Sequence, residues 1–230
     1  MNTITEHNTA PRTSARLIRW TALAGIAGPV VFTVGFLVQE QFRRGEYDPV
    51  AEVVSALEAG DHGWVQQANF VVLGLLTVGF AIGLHRAIAP SRAGFVGPVA
   101  MFVSGMAAVL AAIFPLREDA LGATYDPGGH QFAGTVFFAS SAIALIALSR
   151  RCAADPAMRS LARWLLAAGA LSALSFPVMG ILVIPDDAPL HQWAGLAQRF
   201  IVLGLLFPAR IALALQLLKR GPHQGEAPLL

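Results

Sequence analysis

Three histidines carry the most suggestive pattern in this chain. They open His62-Gly63-Trp64-Val65-Gln66, His130-Gln131-Phe132-Ala133-Gly134 and His191-Gln192-Trp193-Ala194-Gly195. The last two share H-Q-aromatic-A-G at a spacing of sixty-one residues. An imidazole titrates near neutrality and both takes and gives a proton, which makes His130 a candidate general acid/base or proton-sensing group. Its candidate catalytic partners are the carboxylates Glu118, Asp119 and Asp126, in the stretch just before it. Three histidines and a water also form a catalytic zinc site, so His62, His130 and His191 meeting at one surface would suit a metal. None of them has the close spacing of H-E-x-x-H, and no metal or other cofactor is assigned. A second polar set, Gln66, Asn69 and Arg199, joins His130 and His191 as a candidate ligand pocket, with Arg199 suited to a carboxylate or phosphate. Phosphate-binding glycine loops and the G-x-S-x-G elbow are absent from the sequence.

The elements that must hold these residues are apolar. The chain has 230 residues, 55% hydrophobic and only 13% charged, against roughly 25% charged in an average globular protein. Uncharged or nearly uncharged runs occur at about 20–38, 64–84, 95–116, 132–148, 164–184 and 200–218. A bilayer core takes about 20 helical residues, so each run is long enough to cross it. Trp20, Trp64, Trp164 and Trp193 fall at the run borders, where indoles settle at a membrane interface. The first run lacks a small-x-small cleavage site and reads as a retained helix. Only the last run holds a charge, Arg210, expected to snorkel to the nearby membrane edge.

Charge is segregated between the connections. Eleven of the 16 Lys and Arg flank one side of the runs: Arg12, Arg16, Arg19, Arg86, Arg92, Arg150, Arg151, Arg159, Arg163, Lys219 and Arg220. Eleven of the 14 acids flank the other, from Glu40 through Asp187. The positive-inside rule then places both termini in the cytoplasm. The expected fold is an all-α membrane bundle of six transmembrane helices over residues 17–220, N-in and C-in, with cytoplasmic tails 1–16 and 221–230. A net charge of +2 spread over short connections makes no nucleic-acid surface. A single cysteine, Cys152, excludes an intrachain disulfide.

Internal similarity suggests three helical hairpins. Gly25-Ile26-Ala27-Gly28-Pro29-Val30 returns as Gly94-Phe95-Val96-Gly97-Pro98-Val99 after sixty-nine residues, with an echo at Phe176-Pro177-Val178. The prolines predict kinks that widen the bundle. Gly79 with Gly83, and Gly97 with Gly105, are expected to let helices approach closely, within the bundle or in a homo-oligomer. In the first acidic connection, Asp48-Pro49 reads as a helix start and Gly60 as a stop. Val50, Val53, Val54 and Leu57 would form the apolar face of a surface helix, with Glu52, Ser55 and Glu58 turned away.

Several stretches resemble a known family. They are Tyr47-Asp48-Pro49, Val54-Ser55-Ala56-Leu57, and Gly63 through Leu76 with its Trp64-Val65-Gln66-Gln67-Ala68-Asn69-Phe70 segment. Gly97-Pro98, Phe114-Pro115, His130-x-x-Ala133-Gly134, Arg150-Arg151 and Gly195-Leu196-x-Gln198-Arg199 add to the match. Together they resemble the bacterial six-helix membrane family called "domain of unknown function 998", over about residues 17–220. Two features depart from that family. Leu116-Arg117-Glu118-Asp119 stands where an Asp usually follows Phe-Pro, and Tyr125-Asp126-Pro127-Gly128-Gly129 replaces a second histidine before the one matching His130. The resemblance implies six helices and an envelope location, and it brings no activity. A bacterial cytoplasmic membrane also suits the preference for arginine over lysine, which is the signature of a GC-rich genome.

The expected function is binding of a lipid, isoprenoid-like or other small amphipathic molecule in an outward pocket. The alternatives are a membrane-embedded enzyme using His130 on such a substrate, and an assembly partner of another membrane protein.

Overall fold

A chain this apolar satisfies its backbone within helices, because the bilayer core offers no water to bond an open strand or loop. The computed structural model describes residues 10–87 and 92–219. The expected tails therefore lie outside the described residues, apart from the turns at 10–16. The helices are α1 (Ala10–Phe42), α2 (Trp64–Ala87), α3 (Arg92–Ile113), α4 (His130–Ala154), α5 (Arg159–Val178), α6 (Ala194–Arg199) and α7 (Phe207–Lys219). A π-helical turn, Met179–Val183, extends α5, and a second, Phe200–Leu206, joins α6 to α7. Six of the resulting helical segments are long and apolar enough to cross a membrane. The only sheet among the described residues is a two-stranded hairpin, β1 (Arg117–Glu118) with β2 (Thr124–Tyr125), in the connection before α4.

Each span packs on its neighbour in chain order, and α7 returns to α1. Pairing within the expected hairpins is no closer than pairing between them, since α2 meets α3 as extensively as it meets α1. The fifth and sixth spans touch more sparsely. Large apolar side chains such as Leu75, Ile113, Phe132, Leu174 and Ile181 face outward, as a lipid-solvated surface allows. Inside, Phe36, Phe80, Leu84, Leu145, Leu165 and Leu213 are completely or almost completely buried. Without a hydrophobic drive between helices in lipid, close packing must hold them. α2 and α3 approach backbone to backbone at Gly74 and Gly105, where a Cβ on either residue would lie 2.6–2.8 Å from the other's carbonyl oxygen.

The helices run through Pro29 and Pro98 without interruption, whereas Pro177 and Pro208 sit beside the two π-helical turns. Proline withholds a backbone donor from the carbonyl four residues earlier, and a local widening of the helix absorbs the defect. The amide of Ile184 bonds back five residues to Met179 at 2.8 Å. Both widened turns border the cavity described below.

Two local expectations need correction. The first acidic connection forms no continuous surface helix. Asp48 caps a turn through the amide of Val50 at 2.8 Å, and a tight 3₁₀ turn follows at Val54–Glu58. All five of its residues, Ser55 and Glu58 included, are buried. The spans claim the backbone groups that a longer helix would have needed. Gln39 donates to Leu57 O at 3.0 Å and Arg43 to Ala59 O at 2.9 Å, while the amide of Val54 donates to Gln198 Oε1 at 2.7 Å. The amides of Gly195 and Leu196 donate to Ala51 O and Val50 O, so the start of α6 docks directly on this connection. Gly195 has to be glycine because a Cβ there would strike the carbonyls of Glu52 and Pro49.

Arg210 does not snorkel. It is 5% exposed and inserted between α1 and α2, donating to Thr77 Oγ1 at 2.6 Å. Lys219 lies nine residues further on, about 14 Å of helix and too far for the guanidinium to reach the membrane edge.

Candidate functional site: a cavity under the acidic connections

All six spans and all three acidic connections line a cavity of about 640 Å³. Its deeper wall is apolar and aromatic, with Phe137, Phe138, Phe176 and Met179 among the lining residues. Its polar groups gather at the loop end: Ser55, Asp126, His130 and Gln198. Ser172 lines it from α5 with a buried hydroxyl that has no hydrogen-bond partner in the structure.

Local sequence places His130 firmly. Gly128 and Gly129 turn the chain with φ of +125° and +100°, a region open chiefly to glycine. Asp126 then caps α4. Its Oδ1 accepts from the amide of Gly128 at 2.8 Å and from that of His130 at 3.4 Å, and its Oδ2 accepts from Gln131 at 2.8 Å. Partial burial pushes the Asp126 carboxyl up, but the backbone donors of Gln131, Gly128 and His130 outweigh it and hold the group below its usual range.

The ring of His130 is gripped by one edge. Nδ1 lies 3.0 Å from Glu58 Oε2, 3.1 Å from Phe114 O and 3.3 Å from Ala111 O. Three acceptors around one nitrogen fix its proton there, so Nε2 is the nitrogen left for the cavity. Phe70 meets the ring edge-to-face at 6.1 Å. The Glu58 side chain is fully buried, and its Oε1 has no partner. Burial pushes the Glu58 carboxyl above its usual range, against the opposing pull of the His130 hydrogen bond. The arrangement is an imidazole oriented by a buried carboxylate and open on its far side, which is the geometry of a general base or a polar anchor.

The carboxylate on His130 is therefore Glu58, which the amphipathic pattern had turned away from the protein. The expected partners lie elsewhere. Asp119 ties the β1–β2 turn through the amides of Leu121 and Ala123, Glu118 is exposed on β1, and Asp126 binds His130 only through its backbone. A clue to Glu58 exists in the sequence. Only Ala59 to Gly63 separate it from α2, and Gly63 packs so tightly on Glu58 O that no side chain fits there.

Of the expected pocket residues, only His130 lines the cavity. Arg199 is engaged within the protein. Its Nη2 donates to Glu40 and to Tyr47 Oη, its Nη1 to Glu52 O at 3.0 Å, and the guanidinium lies over Phe36 and Tyr47. Burial pushes the Tyr47 phenol up to about 12 despite the neighbouring Arg199, so it keeps its proton and hands it to Glu52 O and Val53 O. Asn69 ties α2 to α1, donating to Phe32 O at 3.0 Å and to Gln66 Oε1 at 3.2 Å. His191 is half-exposed, with Nδ1 3.2 Å from Ile184 O, and His62 is an exposed loop residue with φ of +67°. Among the described residues, no three His, Cys, Asp or Glu side chains gather in a way that could hold a metal ion.

Comparison with known proteins matches residues 26–215 to the family described as Protein of unknown function (DUF998). The chain belongs to that family. No curated protein and no solved structure matches it. Membership in DUF998 agrees with six membrane-crossing helices and supplies no chemistry, so the cavity and its polar rim must carry the functional reading.

Proposed function

We propose that this protein binds an amphipathic molecule, a lipid or an isoprenoid-like compound, in the cavity beneath its acidic connections. The observation that carries the reading is the cavity's polarity gradient. About 640 Å³ of space is aromatic and aliphatic on the bilayer side and ends at His130, Gln198 and Ser55. Small-molecule sites typically occupy roughly 300–1,000 Å³, mostly apolar with a few placed polar groups. The apolar part of the ligand lies along Phe137, Phe138 and Phe176, and His130 Nε2 bonds its head. The segregated charges of the sequence support placing the acidic connections outside and both termini in the cytoplasm, in a bacterial cytoplasmic membrane.

A second reading has its own support. A buried carboxylate on Nδ1 of an imidazole whose other nitrogen meets the cavity suits proton transfer to or from the bound molecule. His130 would act as acid/base, with Glu58 positioning its ring. Arg199, bound to Glu40 and Tyr47, acts as a strut in either reading.

Native mass spectrometry of the detergent-purified protein tests the binding reading. A lipid-mass adduct should remain on the wild type and be lost on Phe176→Trp, which fills the apolar wall. An adduct retained by that variant, or none on the wild type, overturns it. If the protein is an enzyme, His130→Gln leaves the adduct bound but unconverted.

A further inference from the structure

The main cavity does not use Arg210, the only charged side chain buried in the middle of a span among the described residues. Thr77, its partner, stands thirteen residues after Trp64 and ten before Ala87, about 20 Å and 15 Å from the two ends of α2. Arginine keeps its proton in proteins, so this is a full positive charge at membrane depth. The ion pairs of Arg43 with Glu46, His130 with Glu58, His191 with Asp186 and Arg199 with Glu40 all lie elsewhere. A cation in this position is expected to be compensated by a partner.

The protein makes room for the guanidinium without neutralising it. A Cβ at Gly28 would fall 2.8 Å from Arg210 Nη2, so α1 is thinned at that point. Thr77 Oγ1 donates to Leu73 O at 2.5 Å and turns its lone pairs to Arg210 Nη1. Nη2 reaches Ala24 O at 3.5 Å, and Phe80 presents its ring 5.6 Å away. All these partners are neutral. The Nε–H is buried with no acceptor.

A second, small cavity of about 20 Å³ lies against Arg210, lined also by Ser104, Ser141, Phe137 and Phe207. A space of that size holds roughly one water-sized particle. Ser104 Oγ and Ser141 Oγ are 2.7 Å apart and share one hydrogen bond, which leaves the second hydroxyl hydrogen uncommitted. The cavity is thus lined by a cationic side chain with an unpaired N–H and by two serines with one uncommitted O–H between them, and no carboxylate is on its wall. A water there would leave the charge uncompensated. A compact monovalent anion would neutralise it and accept both hydrogens.

We propose that Arg210, Ser104 and Ser141 form a binding site for one chloride-sized monovalent anion in the middle of the bundle. Phe137 and Phe207 line both cavities, so the site lies directly behind the main one, and rotation of these rings is its route of access. The proposal is independent of what the main cavity binds.

The test uses full-length protein in detergent, with sodium gluconate replaced by chloride or bromide at constant ionic strength. The midpoint of thermal unfolding should rise with halide and saturate as one site. Crystals soaked in bromide should show an anomalous peak between Arg210, Ser104 and Ser141. Arg210→Met should abolish the halide response. The double variant Ser104→Ala/Ser141→Ala, which leaves Arg210 in place, should weaken apparent halide affinity at least fivefold and serves if Arg210→Met does not fold. A wild type indifferent to halide, or an unchanged response in Arg210→Met or in the double variant, overturns the proposal. So does a co-purified carboxylate amphiphile that Arg210→Met releases, since the site would then belong to that ligand's head.

Discussion

The two arginines of the sixth span are solved in opposite ways. Arg199 lies where α6 meets the first acidic connection, and that connection brings it a carboxylate-flanked nest: Glu40 from α1, the phenol of Tyr47 and the carbonyl of Glu52. Arg210, eleven residues on, has only a hydroxyl, a carbonyl and a ring face. At the end of the bundle, irregular chain can fold back and carry acceptors to a charge. At mid-depth every neighbour is a helix whose carbonyls are already spent, so compensation must come from side chains or from a bound ion. The contrast separates a charge that holds the protein together from one kept available.

Breaking the paired site should have the largest effect. Glu40→Gln leaves Arg199 buried beside neutral partners, and the expected loss is about 3–5 kcal/mol, as for other buried pairs deprived of one member. Denaturant unfolding in detergent micelles measures it, and a loss under 1 kcal/mol would make the two arginines alike. Arg210→Met should go the other way. In halide-free buffer it removes an uncompensated charge, and stability should rise by about 1–2 kcal/mol. A fall of that size would mean that its neutral contacts alone suffice.

Glu58 offers a pH-resolved comparison with Arg199's partner. Its folded carboxyl lies above the ordinary value of 4.5, so the folded state favours the protonated form. That contribution is fully present below pH 4.5 and is lost as pH rises through the raised folded value. Glu58→Gln should therefore match wild-type stability at low pH and exceed it at neutral pH, where the wild-type carboxyl is forced to ionise in a buried site. Unfolding midpoints across pH 4–8 report the difference, and parallel curves would refute it. The smallest effect belongs to Thr77→Val, which removes one neutral acceptor from Arg210 and should cost about 0.6 kcal/mol. A halide dependence that strengthens in this variant would sharpen the case for Arg210 as a charge held for a ligand.

The sequence made the spans legible because twenty apolar residues in lipid have few alternatives to a helix. The turn before α4 carries a local signal that the pattern reading did not use, since Asp126 followed by Gly128-Gly129 can cap and reverse a chain. Glu58 was not legible. Val50, Val53, Val54 and Leu57 do keep a helical rhythm, yet Gln39 and Arg43 at the end of the first span and Gly195 and Gln198 in the sixth bind the backbone of that stretch and fold it inward. Gln66, Asn69 and Arg199 were recognised as polar at depth, but whether they faced a ligand or each other depended on neighbours no local pattern specifies. Arg210 was misjudged by arithmetic alone, because nine residues of helix exceed the length of its side chain.

The widened turn Phe200–Leu206 falls between the two arginines. A helix advances about 100° per residue, so one surplus residue in that turn sets the angular phase between the ends of the sixth span. Deleting Gly204 would leave Arg210 wedged at Thr77 and swing Arg199 about a quarter-turn away from Glu40. The bulge thus works as an indexing joint, with α6 keyed to the acidic loop and α7 keyed to the bundle's middle. The span can meet both only because its spiral is allowed to slip once between them.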